Sequence, residues 1–172
     1  MKRKITVFIL IIICFLLQCT IFKELKFTRV VPNLLIVITS SFGFMRGKKE
    51  GLYVGFLCGM LIDLFFSEFY GFYTLIYMYI GYVNGFFKNM FYDYDIKLPM
   101  ILITGSDFIY GCIIYVFSFL LRGRFDTWYY FRNVIFPEVI YTVVVTLVLY
   151  RVIRWINRKL EEDEKRSAAK FV

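Results

Sequence analysis

The chain is dominated by apolar runs about as long as a bilayer is thick. Six can be drawn, at residues 5–22, 30–45, 51–68, 71–91, 98–121 and 132–154. About 20 apolar residues at 1.5 Å each cross a ~30 Å hydrocarbon core, so each run predicts one spanning helix. The second is the shortest at its apolar centre and must lean on its flanks or tilt little. Together they leave no room for a soluble domain. The expected fold is therefore an all-α polytopic bundle of about six transmembrane helices over residues 1–156, with a short cytoplasmic tail at 157–172.

Charge placement sets the expected orientation. Each of the 21 Lys and Arg residues can be assigned to its nearest terminus or connection. Alternate segments then carry 15 on one side and 6 on the other. The positive-inside rule puts both termini in the cytoplasm, as an even number of spans requires. The net charge of +8 is thus read as orientation and contact with the lipid bilayer, and no nucleic-acid partner is expected. The opening "MKRKITVFILIIICFLLQC" has the layout of a secretory signal. Gln18 before Cys19 does not suit lipoprotein processing, so residues 5–22 are read as a retained span. The tail "NRKLEEDEKRSAAK" reads as a solvated helical extension, with Glu161–Lys165 and Glu162–Arg166 at i,i+4 spacing.

The chemistry-bearing residues are few. The chain has no histidine, which excludes His-based metal sites and triads. Cys14, Cys19, Cys58 and Cys112 all lie in apolar runs without metal-site spacing. No nucleophile-elbow serine or Gly-rich phosphate loop is present. Neither a cofactor nor catalysis is expected.

What stands out is "GFLCGMLIDLFFSEFYG", an apolar stretch that retains Asp63. Glycines recur every fourth residue at 43, 47, 51, 55 and 59, and Asp63 is the next step. Small residues at this spacing let helices approach to backbone contact, the usual means of association in lipid. Because four residues turn a helix through 400°, the stripe curls slowly, with Asp63 at its end facing a groove. Gly51, Gly55, Gly59 and Asp63 are therefore candidates for a helix-packing or partner interface. Gly81 and Gly85 repeat the spacing in the fourth run. "VPNLL" opens the second run and "FPEVI" the sixth, so Pro32, Asn33, Pro137 and Glu138 are candidate outer-leaflet polar contacts, with helix capping as the simpler role. Asn84 and Asp107 complete the polar groups expected to be buried. Intramembrane acids face a partner or a cavity by default.

From Pro32 to Gly85 these features run in a particular order. "VPNLLIVITSSFGFMRGKKEG" precedes "GLYVGFLCGMLIDLFFSEFYGFYTLIYMYIGYVNG", with a G-F-x-x-G-x-x-x-D core from Gly55 to Asp63, then Gly71 and a proline-initiated last helix. The chain resembles the MreD family of bacterial rod shape-determining membrane proteins over nearly its whole length. It departs in lacking a proline before Gly71 and in placing Glu138 after Pro137. The resemblance implies a non-enzymatic, multi-pass protein of the bacterial cytoplasmic (inner) membrane that acts in the elongasome. Its implied partner is an MreC-like bitopic protein, with MreB and peptidoglycan synthases as indirect partners. On that picture Asn33 and Glu138 face the start of the partner's periplasmic part. The rival expectation is a vitamin-type transporter's substrate-binding subunit, which should gather several polar side chains in one outer pocket.

Overall fold

The computed structural model describes residues 2–24, 31–67, 70–90, 96–118 and 130–169. The expected connections at 23–29, 92–97 and 122–131 and the end of the fifth run fall wholly or largely outside these residues. The described residues form six helices and no strand: α1 (Lys2–Glu24), α2 (Leu34–Arg46), α3 (Lys48–Phe66), α4 (Phe72–Asn84), α5 (Lys97–Ser118) and α6 (Phe136–Ala169). A 3₁₀ stretch, Gly85–Met90, prolongs α4, and a π turn, Phe131–Ile135, leads into α6. The protein is an all-α membrane protein.

Its surface explains why. Every helix but α2 presents large apolar side chains outward, among them Ile5 and Leu16 on α1, Leu64 and Phe65 on α3, Leu75 and Tyr79 on α4, Ile101 and Ile109 on α5, and Val144 and Val148 on α6. An apolar exterior this continuous suits hydrocarbon rather than water. Three helical stretches, Arg3–Thr20, Lys97–Phe117 and Phe131–Arg166, are long and apolar enough to cross a membrane on length and composition alone.

The short second helix sits at the centre. Twelve of its 13 residues, Leu34 to Met45, are buried, and it touches all five other helices. A helix apolar on every side must be enclosed on every side. With neighbours screening its backbone from lipid, its roughly 20 Å length at 1.5 Å per residue is sufficient. Gly47 alone joins α2 to α3. Its φ of 98° lies where side-chain-bearing residues are strained, and a Cβ there would also press on Lys88.

The most intimate pairing is α3 with α4. A Cβ on Gly51 would collide with the backbone of Gly81, whose carbonyl carbon lies 2.7 Å from its ideal position. One on Gly55 would meet the Tyr77 carbonyl carbon at 2.7 Å, and one on Gly59 the Thr74 nitrogen at 2.9 Å. Gly81 is blocked reciprocally by Gly51, and Gly85 by Lys48. The glycine spacing that marks the sequence is therefore used within the chain.

Gly55→Leu should lower stability by about 1–3 kcal/mol or more, because the obstacle is backbone and cannot turn aside. Gly105→Ala, where an added Cβ meets nothing within 4 Å, should leave stability nearly unchanged. Thermal unfolding of the two variants in mild detergent measures the contrast.

Candidate functional site

The stripe ends at the chain's best-partnered acid. Asp63 sits in the last turn of α3, only 3% exposed. One carboxylate oxygen accepts the Tyr73 amide at 3.1 Å; the other accepts the Thr74 amide at 2.8 Å and the Thr74 hydroxyl at 2.5 Å. Tyr73 and Thr74 occupy the second and third positions of α4, whose own cap, Gly71, has no side chain to offer. Early amides of a helix lack intrahelical acceptors and carry the positive end of its dipole. Asp63 thus caps α4 from α3, doing across a helical hairpin what a local Ser or Asp does within a chain. The cost of burying this carboxylate is offset by three donors.

Asn33 has a comparable role at the start of α2. Its carboxamide oxygen accepts the Ile36 amide at 3.3 Å and the Tyr77 hydroxyl at 2.8 Å, while its own amide donates to the Thr142 hydroxyl oxygen at 3.1 Å. One residue therefore ties α2 to α4 and α6. Pro32 is buried and Asn33 is 3% exposed, so neither offers a polar contact to the surroundings: the cap and the tyrosine consume Asn33. Pro137 and Glu138 are half-buried at the start of α6. Asn84 lies deep in the bundle, where its amide group donates to Ser106 Oγ at 2.7 Å and to the Ile80 carbonyl at 2.9 Å, joining α4 to α5. Asp107, in the middle of α5, is 2% exposed.

A second polar layer, which the sequence reading treated as a solvated tail, closes the opposite end. Arg46, the last residue of α2, contacts Asn157 at 2.9 Å, Glu164 at 3.1 Å and Glu161 at 3.3 Å. Arg3 of α1 reaches Glu50 of α3 and Glu164 of α6, each at 3.4 Å. The tail helix is thereby pinned to the bundle, and the chain's first and last helices begin and end on one face. Arg46 and Arg3 look like ordinary loop charges in the sequence. The usable signal was Asn157, Glu161 and Glu164 recurring on one side of the helix that continues α6.

Among the described residues, no group of three or more His, Cys, Asp or Glu side chains converges as a metal site. Cys14, Cys58 and Cys112 carry free thiols.

Comparison with known proteins gives a family match. The family described as rod shape-determining protein MreD matches residues 1–160 of the 172. The chain belongs to the MreD family. No curated protein and no solved structure matches it. The match includes all six helices except the end of α6, so the stripe, Asp63, Asn33 and the Arg3 and Arg46 anchors all lie within the MreD-like region. Glu164 lies just beyond it.

Two predictions follow from the polar ties. Asp63→Leu strands the Tyr73 and Thr74 donors and should cost about 1–3 kcal/mol, seen as faster amide exchange at the start of α4 before the rest of the bundle opens. In the second layer, burial pushes the Glu164 carboxyl up, but Arg3 and Arg46 together hold it below its ordinary value. A depressed carboxyl contributes stability above its unfolded value and loses it as pH falls through the folded one. Acidification should therefore free the tail first, and limited proteolysis after Arg158 should quicken at low pH or in Arg46→Ala.

Proposed function

We propose that this protein is a non-enzymatic scaffold or regulator of the bacterial cell-elongation machinery in the cytoplasmic membrane. It acts by helix packing with an MreC-like bitopic partner, and through it positions or regulates peptidoglycan synthesis alongside MreB. The observation that carries this is the family match over residues 1–160. The six helices serve as the six spans, at about 5–22, 30–45, 51–68, 71–91, 98–121 and 132–154, with both termini cytoplasmic. Support for this topology comes from the excess of Lys and Arg on one side and from the ion pair joining Arg3 to Glu164.

The physical design suits a scaffold. Glycine contacts, the Asp63 cap and the Asn33 junction fix helices to one another and leave their outer faces apolar. A partner's span then meets a preformed surface and loses little entropy to reorganisation of this chain. Because α4 already occupies the stripe, Gly51, Gly55, Gly59, Gly81 and Asp63 influence a partner by holding that surface in shape.

The test is affinity purification of the tagged protein from rod-shaped cells in mild detergent, with mass spectrometry of what stays bound. A bitopic MreC-like protein with wall synthases is the expected result. Recovery instead of ATPase subunits and a shared coupling protein would overturn the reading in favour of a transporter.

A further inference from the structure

Two aspartates in this bundle are buried to the same degree and treated in opposite ways. Asp63, 3% exposed, receives three donors. Asp107, 2% exposed, receives none: neither of its carboxyl oxygens meets a donor in hydrogen-bonding geometry among the described residues. The nearest hydroxyl is that of Thr142 on α6, whose oxygen accepts the Asn33 amide and whose single proton is the one donor it can offer Asp107. One turn before Thr142 on the same helix is Glu138, close enough for its carboxyl and that of Asp107 to repel each other.

Among the described residues the surroundings supply oxygen atoms but no positive charge. Around Asp107 stand Asn33 from the start of α2, Tyr77 from α4, Tyr110 from its own helix, and Glu138 and Thr142 from α6. Tyr73 and Tyr130 lie farther out, against Tyr110 and Glu138 respectively. The Tyr77 proton is committed to Asn33. Neither acid is joined by a Lys or Arg among the described residues. A buried charge without partners is expensive in a protein interior and in a bilayer. Two neighbouring carboxyls make it worse. A proton or a small cation would relieve that cost, and Glu138, half-buried at the start of α6, is the more exposed of the two acids. Among the described residues, no third acid or cysteine converges to build a divalent-metal cage.

We propose that Asp107 and Glu138 form a buried site for one small monovalent cation, a proton or Na+, that fastens α5 to α6. The cation neutralises one of the two carboxyls, and the remaining oxygens of the pair and of Thr142 complete its contacts. Loss of the cation leaves two like charges facing each other across the α5–α6 seam and loosens it. This inference is independent of the partner named above.

The experiment uses the full chain in mild detergent, with thermal unfolding followed by intrinsic fluorescence at constant ionic strength, in Na+ or in choline, over a series of pH values. A proton site raises the midpoint as pH falls through neutrality in choline. A Na+ site raises it with Na+ at alkaline pH. The acid loosening at Glu164 has the opposite sign and cannot imitate either response. Glu138→Gln and Asp107→Asn should each abolish the response, whereas Asp163→Asn in the exposed tail should keep it; Glu138→Gln suffices if the Asp107 variant fails to fold. A wild-type midpoint indifferent to both Na+ and pH, or a response that survives Glu138→Gln, would overturn the proposal.

Discussion

In a bilayer no water drives helices together, so whatever joins α3 to α4 must come from contact itself. Here it is backbone on backbone. Gly51 faces Gly81, Gly55 faces Tyr77 and Gly59 faces Thr74, each approach possible only because no Cβ intervenes. The close approach also brings the last turn of α3 to the first turn of α4, which allows Asp63 to reach two amides and a hydroxyl. Packing and capping are thus one arrangement, and α2, enclosed in part by this hairpin, can be short and buried from Leu34 to Met45 on its account.

Around that hairpin the polar groups fall into two layers. At one end Asn33, Tyr77 and Thr142 lock α2, α4 and α6 together. At the other, Arg3 and Arg46 gather Glu50 from α3 and Asn157, Glu161 and Glu164 from α6. The first layer is buried, where each hydrogen bond left unmade is costly. The second is partly exposed, where ion pairs are individually weak and matter as a network. The bundle thus presents an apolar outer surface, with its polar groups turned inward.

Much of this was legible beforehand. The period-four glycines carried their meaning openly, because few other patterns need small residues at that spacing in an apolar helix. Asp63 at the end of the stripe was legible as a group in a groove, though its partners were not: Thr74 lies eleven residues away, across a turn. Asn33 suggested a cap and proved to be one, but Tyr77 and Thr142 come from 44 and 109 residues away, and no local pattern announces them. The tail misled for a related reason. Its charges satisfy helical i,i+4 rules on their own, which hides that Glu161 and Glu164 also answer Arg46 and Arg3 across the bundle. Local pattern reveals which residues pack closely or carry charge, while the pairing belongs to the fold.

The central claim is that the glycine stripe is filled by this chain's own fourth helix, with no partner needed. Solid-state NMR on glycine-labelled protein, reconstituted alone in lipid vesicles, tests it directly. Transfer between the Gly51 α-carbon and the Gly81 carbonyl carbon should be strong in the isolated protein and weaken in Gly55→Leu. If the contact is missing alone and emerges only when a bitopic partner is co-reconstituted, the stripe belongs to the partner interface and the account is wrong.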